Sequence, residues 1–244
     1  LPPDFSIGRT TMIDKAWQIK DPQIFANQLS KEGKCCLVDI GANVGLFTRQ
    51  LLHLAPDKIH EVYMYEPDPF NYELLKKNIP RDSKKTFVNS AVSSSSESSK
   101  DFFKDPLNSG NYSFYQELMP TDGYERINVS TISASSQIDA WRSSGLPIFY
   151  KSDTQGHDIL IACSCGLDLW KQVKCAMLEL WPIRRLSDEH DQFLNDFASI
   201  LDLFPIKVFG DNLKVNITTS EVFDFLNDSN HSTKDKDIFL FKDD

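Results

Sequence analysis

The sequence contains no long apolar run and has fewer basic than acidic residues. No segment reaches the roughly 18 apolar residues in a row that indicate a membrane-spanning helix, and no charged-then-apolar signal opens the chain. Lys and Arg number 26 against 35 Asp and Glu, which gives a formal net charge of −9. Because a broad nucleic-acid surface needs a basic patch, we expect no membrane span and no nucleic-acid partner.

Cysteine patterns that hold metals or disulfides are also missing. The chain has five cysteines, an odd number, and no paired C-x-x-C motif. Cys163 and Cys165 are too close together for the usual zinc spacing. We therefore predict five reduced, mostly buried thiols and a cytoplasmic location.

A glycine-spaced turn joins an apolar run to a helical pattern in residues 37–48, which read Leu-Val-Asp-Ile-Gly-Ala-Asn-Val-Gly-Leu-Phe-Thr. This order predicts a strand, a tight turn and a helix, the first unit of a Rossmann-like fold. Gly41 and Gly45 would let backbone N–H groups approach a ligand at the start of the helix, where partial positive charge favours an anion.

The turn departs from the pattern that binds a dinucleotide. That pattern is G-x-G-x-x-G, and here Asn43 stands at the position of the second glycine, which disfavours an NAD-dependent oxidoreductase. A ligand that presents an amino acid and a nucleoside fits better, with its ammonium on Asp39 and its carboxylate on the turn. S-adenosylmethionine (SAM) has both groups. The alternative is a glycine turn that only joins strand to helix.

A second apolar run, residues 61–65, ends in Glu66-Pro67 before another helical pattern. An acid about 20 residues after the glycine turn is where a carboxylate holds a ribose diol. We predict that role for Glu66, and as a strand-end acid we expect it to be exposed before a ligand binds. The alternative is a solvated acid without a ligand.

Apolar runs and helical patterns continue to alternate along the chain, which indicates an α/β fold. Residues 12–32 predict two short helices around Asp21-Pro22. Further strands are predicted over residues 87–92, 146–153, 173–180, 205–209 and 238–241.

Residues 93–131 interrupt this alternation, because they are poorly periodic and begin with a serine-rich stretch. Residues 101–104 and 128–132 can pair as an antiparallel hairpin. A loop this long is usually functional or disordered. Acceptor binding and disorder therefore both remain open, and the aromatic residues that could stack on a sugar are Tyr112, Phe114, Tyr115 and Tyr124.

Four blocks of the sequence resemble the FkbM-type family of SAM-dependent methyltransferases. The blocks are residues 38–45, 65–67, 89–93 and 151–158, and their order and spacing match the family from about Cys35 to Trp181. The last block departs from the usual K-x-D-x-E-G-x-E pattern, because Gln155 replaces the first Glu and Asp158 the second. The chain therefore has an amide and no carboxylate at position 155.

The resemblance implies a doubly wound, mostly parallel seven-stranded Rossmann-like sheet of order 3-2-1-4-5-7-6, with helices on both faces, the last strand antiparallel and an inserted hairpin or loop after strand 3. We expect an N-terminal helical cap over residues 1–34 and a methyltransferase domain over 35–244, with the insertion at about 93–133. Because the chain begins with Leu1 rather than Met, it is compatible with an excised domain of a larger glycan-building protein.

The implied activity is O-methyl transfer from SAM to a hydroxyl of a sugar or glycoconjugate, with S-adenosylhomocysteine (SAH) as product. The alternatives are a methyltransferase that acts on RNA or a small metabolite, and a non-catalytic Rossmann-like module that binds SAM or a nucleoside. The residues expected to bind the cofactor lie at strand ends and in the glycine turn: Asp39, Gly41, Ala42, Asn43, Gly45, Phe47, Thr48, Glu66, Pro67, Asn89, Ser90, Ala91 and Asp153.

The residues expected to act in catalysis are Asp153, His157, Lys151 and Glu179. Asp153 or His157 would take the acceptor proton; the alternative for His157 is a surface histidine beside a capping Asp. Lys151 would pair with Asp153 or orient the acceptor, and Glu179 would hold a substrate hydroxyl. A divalent cation bound by Asp153, Asp158 and Glu179 is a less favoured alternative, because hard cations prefer oxygen ligands but one carboxylate has been replaced.

Overall fold

The structure, a computed structural model, describes residues 7–14, 18–120, 123–183, 186, 192–230 and 234–242. The strands are β1 (Cys35–Ile40), β2 (Ile59–Tyr65), β3 (Lys85–Val88), β4 (Ala91–Ser93), β5 (Ser99–Lys104), β6 (Tyr112–Ser113), β7 (Glu125–Ser133), β8 (Ile148–Ser152), β9 (Val173–Leu180), β10 (Ile206–Phe209) and β11 (Lys236–Phe241). The helices are α1 (Ile7–Asp14), α2 (Lys20–Lys31), α3 (Leu46–Leu54), α4 (Pro69–Asn78), α5 (Ala134–Arg142), α6 (Asp158–Ser164), α7 (Gly166–Trp170), α8 (Leu194–Leu201) and α9 (Thr219–Leu226). None of the helices in these ranges has the length and apolar character needed to cross a bilayer.

Seven strands form the main sheet in the order β10-β11-β9-β8-β1-β2-β3. Neighbours from β9 to β3 are parallel, whereas β11 runs antiparallel to both β9 and β10. Counted along the chain without the inserted strands, this order is 3-2-1-4-5-7-6, so the predicted α/β class and the antiparallel last strand are confirmed.

Both faces of the sheet are covered, as the continuous apolar runs of its central strands require. Alternate residues of β1 enter different cores: Cys36, Val38 and Ile40 join one cluster, and Cys35 and Leu37 join the other. Since successive side chains of a strand point to opposite faces, the two clusters lie on opposite sides of the sheet. All five cysteines are unbridged, and four of them are buried, in line with the prediction of reduced thiols.

The predicted third strand, residues 87–92, is wrong as a single element. The chain leaves the main sheet after Val88, and Ala91 instead pairs with Thr131 in a second sheet. The side chain of Asn89 lies at the break, where its Nδ2 donates to the carbonyl oxygens of Glu66 (2.8 Å) and Pro67 (3.1 Å). These bonds hold the chain at the end of β2 while the backbone turns away.

The insertion after β3 folds into a four-stranded sheet of order β4-β7-β5-β6. Its β5 and β7 pair antiparallel, with Asp101 opposite Asn128, which confirms the predicted hairpin. The insertion is therefore more regular than the sequence indicates. β6 was not predicted, and β4 was predicted as part of the third strand of the main sheet.

The two helices predicted in residues 12–32 are present, but the boundary between them differs. Pro22 lies inside the first turn of α2, where a missing N–H leaves no intrahelical hydrogen bond unmade. Phe25 of the same helix is fully buried against the rings of Phe47, Phe149 and Phe239. α2 thus packs on the sheet, and the separation of residues 1–34 as a cap stays a prediction.

Gly41 follows β1 at the point where β8 ends beside it. Its φ is +71°, and a Cβ built there would stand 2.0 Å from the backbone oxygen of Asp153. The glycine is therefore required by the approach of two strand ends, in addition to any ligand. Gly145 has a similar φ of +66° but nothing within 4 Å of a built Cβ, so it is a matched control.

We predict that Gly41→Ala destabilises the protein far more than Gly145→Ala. Both changes place an alanine in the left-handed region, at a cost of about 1–2 kcal/mol. Only Gly41→Ala also drives a methyl group into a backbone carbonyl. Denaturant unfolding of the two variants measures the difference, and equal losses would show that the strand ends separate easily.

Candidate functional site

A cavity of about 510 Å³ opens at the carboxyl ends of the parallel strands. The turn after β1, the ends of β2 and β9 and the turn after β8 form its floor, and residues 108–112 of the insertion line another wall. Ligands in open α/β sheets bind at this edge, and the volume is typical of a small-molecule site. The location predicted for the site residues is therefore the location of a cavity.

Asn43 connects three parts of this site. Its backbone N–H donates to Glu66 Oε2 (2.8 Å), and its side-chain Nδ2 donates to the carbonyl oxygen of Ser109 in the insertion (2.7 Å). Its φ of +50° lies in the left-handed region, which asparagine tolerates better than most residues. The asparagine that replaces a glycine of the dinucleotide pattern thus joins the turn, β2 and the insertion.

Glu66 is held by backbone groups and is 4% exposed, so the expectation that it is exposed without ligand is wrong. Oε2 accepts from Asn43 N, and Oε1 accepts from Asp68 N (2.9 Å). Burial raises the pKa of Glu66 to about 8, although both amide hydrogen bonds act in the opposite direction. When Glu66 is ionised, each of its oxygens keeps a further lone pair, so two adjacent hydroxyls of a ligand can donate to it.

Asp39 is fully buried and already has an ammonium partner within the protein, which contradicts its predicted role towards a ligand ammonium. Lys151 Nζ lies 3.1 Å from Asp39 Oδ1 and donates to the carbonyl oxygen of Gly41 (2.7 Å). Thr48 Oγ1 donates to Asp39 Oδ2 (2.6 Å). Asp39 and Thr48 therefore brace the turn from below, and neither is among the described residues that line the cavity.

Lys151 also lies 3.7 Å from Asp153 Oδ2, which is the pairing that the sequence analysis offered as one of its two roles. Burial would lower the pKa of Lys151, but the charges of Asp39 and Asp153 outweigh it and hold the pKa above its ordinary value. The residue is 4% exposed yet lines the cavity. The ammonium group of Lys151 therefore lies between the glycine turn and the carboxylate of Asp153.

Two further predicted cofactor residues are absent from the described cavity wall, Gly45 and Asn89. A Cβ at Gly45, where φ is +83°, would lie 2.6 Å from Leu75 Cδ1, so this glycine lets α4 pack on the turn. Asn89 instead holds the chain at the end of β2 through its hydrogen bonds to the carbonyl oxygens of Glu66 and Pro67. The other predicted members line the cavity: Gly41, Ala42, Asn43, Phe47, Glu66, Pro67, Ser90, Ala91 and Asp153.

His157 is 1% exposed and does not belong to the described cavity wall, so its predicted place beside Asp153 in the cleft is wrong. Its ring packs edge-on against Phe114, with centroids 5.1 Å apart. Its Nδ1 lies 3.2 Å from the hydroxyl oxygen of Tyr115. His157 therefore fastens the insertion to the start of α6, and aromatic residues that were assigned to a sugar cover it.

Gln155 bridges the two carboxylates that the sequence analysis placed in catalysis. Its Nε2 donates to Glu179 Oε1 (2.7 Å) and lies 3.4 Å from Asp153 Oδ1. Trp181 Nε1 donates to the other oxygen of Glu179 (3.0 Å). Burial, and next the charge of Asp153, raise the pKa of Glu179 well above its ordinary value. The neutral amide of Gln155 thus lies between the acidic groups of Asp153 and Glu179. A glutamate at this position would have added a third acidic group.

Asp158, the third carboxylate of the less favoured cation site, points elsewhere. It is 1% exposed, accepts from Ser152 Oγ, and is absent from the described wall of the cavity. Within the described residues, no group of His, Cys, Asp and Glu side chains is arranged to hold a metal ion. The three carboxylates do not converge.

Sequence reasoning missed several residues of the site, because they come from segments without a motif. Asp21 of α2 and Asp235 before β11 line the same end of the cavity as Asp153. Burial, and next the charge of Asp153, raise the pKa of Asp21 to about 6. Of the four insertion aromatics, Tyr112 and Phe114 line the cavity.

No protein-family model matches the sequence, and no curated protein matches it. Three similar solved structures are all methyltransferases. FkbM methyltransferase from Methylobacillus flagellatus KT is 15% identical with a TM-score of 0.46, over 85% of this chain and only 44% of that one. A putative caffeoyl-CoA O-methyltransferase from Staphylococcus aureus is 8% identical with a TM-score of 0.43, over 97% and 90% of the two chains. Plantazolicin methyltransferase BpumL in complex with SAH is 8% identical with a TM-score of 0.39, over 92% and 83%.

The sequence resemblance and the first of these structures name the same family. This chain spans less than half the length of that FkbM structure. Likenesses at such low identities and scores specify neither a cofactor nor an acceptor for this chain.

We predict that Glu66→Gln flattens the pH dependence of stability between pH 5 and pH 7.5. The native pKa of Glu66 is about 8 against an ordinary 4.5, so the native state keeps a proton that the unfolded chain has lost. The free energy of unfolding should then fall as pH rises through this window, by up to about 1.4 kcal/mol per pH unit from this group. Denaturant unfolding at several pH values measures the slope.

Glu73→Gln is the control for this measurement. Glu73 is exposed, and its pKa is lowered by the hydrogen bond from Lys76, so its contribution changes only in more acid solution. An unchanged slope in Glu66→Gln would mean that Glu66 ionises normally in the native state.

Proposed function

We propose that this chain is a SAM-dependent methyltransferase. The observation that carries the proposal is that one cavity holds both kinds of group that the reaction needs. At one end, backbone amides orient the carboxylate of Glu66 beside a glycine turn. At the other end, Asp153 and Glu179 face the same space. The first suits a nucleoside, and the second suits a proton-donating acceptor.

The residues present fit SAM at the nucleoside end. The diol would bind Glu66, the backbone of residues 41–43 would face the amino acid portion, and Ser90 and Ala91 lie where the base would pack. SAM would supply a methyl group on a positively charged sulfonium. The carboxylates of Asp21 and Asp153 give the neighbouring wall negative charge, which favours a cationic ligand.

For the acceptor, we propose a hydroxyl, with Asp153 as the group that takes its proton. Asp153 lines the cavity and its side chain is 29% exposed, whereas His157 is enclosed by aromatic rings. A hydroxyl is a poor nucleophile while protonated, so a base contributes about 10²–10⁴-fold. Glu179, held by Gln155 and Trp181, is placed to hydrogen-bond a second group of the acceptor.

A sugar or glycoconjugate remains the acceptor that we propose, on the basis of the sequence resemblance. The rings of Tyr112 and Phe114 in the cavity wall offer apolar faces against which a sugar ring can pack. An RNA acceptor is less compatible, because Asp21, Asp153 and Asp235 at this end would repel phosphates.

We predict that SAM and SAH stabilise the protein and that NAD does not. A ligand at 100 times its Kd should raise the free energy of unfolding by about 2.7 kcal/mol. Glu66→Ala should remove most of that increase, because the diol would lose its acceptor, and the exposed control Glu73→Ala should keep it. Denaturant unfolding with each ligand tests this. Stabilisation by NAD alone would refute the proposal.

We predict that Asp153→Asn lowers kcat by about 10²–10⁴-fold while SAM still binds. Asparagine keeps the shape and can still accept from Gln155, but it cannot take a proton. His157→Gln should change kcat little, because His157 lies outside the cavity wall. Turnover with the best acceptor from a glycan panel measures both. Full activity in Asp153→Asn would leave positioning alone as the mechanism.

A further inference from the structure

Asn71, on α4, has a buried side-chain amide without a partner. The residue is 1% exposed and belongs to the wall of the cavity. Neither its Nδ2 nor its Oδ1 has a hydrogen-bond partner among the described residues, although its backbone N–H donates to Asp68 Oδ1 (2.8 Å). The side-chain amides of Asn43 and Gln155, which line the same cavity, both have partners.

An unpaired buried amide is expensive, because each unsatisfied polar group costs about 1–3 kcal/mol. Such groups are rare in native proteins, and each one calls for a reason. The polar atoms of Asn71 are also shielded from solvent, so water does not satisfy them. A ligand that brings its own donors and acceptors into the cavity would remove this cost.

The position of Asn71 indicates which part of the ligand it meets. Residues four apart share one face of a helix, so Asn71 lies on the same face as Leu75. Leu75 packs at Gly45, so this face of α4 is turned towards the glycine turn. Asn71 lies one helical turn nearer the start of α4, at the edge of the sheet where Glu66 is held.

We propose that Asn71 is the second half of a ribose-diol site whose first half is Glu66. In its ionised form, which two donating hydroxyls of a ligand would favour, Glu66 only accepts hydrogen bonds, whereas each ribose hydroxyl both donates and accepts. The amide of Asn71 supplies the missing donor and one further acceptor. This assignment rests on the proposed binding of SAM. It identifies Asn71 as a residue that recognises the ribose of a nucleoside by hydrogen bonds.

The test compares adenosine with 2′-deoxyadenosine and 3′-deoxyadenosine by calorimetry. Wild-type protein should bind adenosine about tenfold or more tightly than at least one deoxy compound, since one hydrogen bond to the diol is worth about that factor. In Asn71→Leu, which keeps the size but removes the amide, adenosine and SAH should bind about tenfold more weakly. The preference for adenosine over that deoxy compound should shrink, which shows the coupling directly.

Asn78→Leu is the matched control. Asn78 ends the same helix, and its Nδ2 donates to the carbonyl oxygen of Val44 (2.8 Å), but it is not part of the described cavity wall. Its loss should lower stability and leave the preference for adenosine unchanged. Asn71→Leu should be at least as stable as wild type without ligand, because it removes an unsatisfied amide. Asn71→Ala provides the same binding comparison if the leucine variant does not fold.

The outcomes separate this inference from the proposed function. If wild type binds SAM and adenosine but Asn71→Leu or Asn71→Ala shows the same preference for adenosine as wild type, the inference is wrong and the proposed function stands. If the lost affinity depends instead on the purine amino group, with inosine bound equally by wild type and variant, the diol assignment is wrong. If wild type binds neither SAM, SAH nor adenosine, both fail.

Discussion

The site depends on the ion pairs and the hydrogen bond that the ammonium group of Lys151 makes. It reaches Asp39 and the carbonyl oxygen of Gly41 on one side and Asp153 on the other, so it joins the ends of β1 and β8. Without it, Asp39 would be a buried charge with no counter-ion, a loss that typically costs about 3–5 kcal/mol. The glycine at 41 follows from the same closeness, because the backbone of Asp153 leaves no room for a Cβ.

The insertion completes the site through contacts with three different loops. Ser109 accepts from Asn43 of the glycine turn, Lys104 pairs with Asp68 at the start of α4 (2.7 Å), and Ser113 donates to the backbone oxygen of Gln155 (2.6 Å). Each contact joins a residue of the insertion to a segment that follows a strand of the main sheet. The cavity is therefore bounded by the main sheet and the insertion, and these polar contacts help to hold the two together.

The sequence predicts the parts of this arrangement that depend on local spacing. Glycine and acid spacing suffice to place Gly41 and Glu66 at neighbouring strand ends, and alternation suffices for the order of elements. Local spacing could not show that Lys151, more than a hundred residues away, is the counter-ion of Asp39. Nor could it show that the rings of Phe114 and Tyr115 enclose His157. Those outcomes depend on which distant side chains the fold brings to a buried group. Asn71 was missed for the opposite reason, because an amide without a partner leaves no pattern in the sequence.

Asn43 has a consequence for how two ligands would influence each other. Its backbone holds the carboxylate of Glu66, and its side chain holds the insertion at Ser109. Under the proposed function, a shift of this residue on nucleoside binding would be passed to residues 108–112 of the insertion, which line the same cavity. Binding energies linked through a shared residue are reciprocal, so an acceptor that tightens the wall must also tighten the grip on the nucleoside by the same factor. Donor and acceptor would then bind as a cooperative pair, and the spent nucleoside would leave more readily once the methylated product has gone.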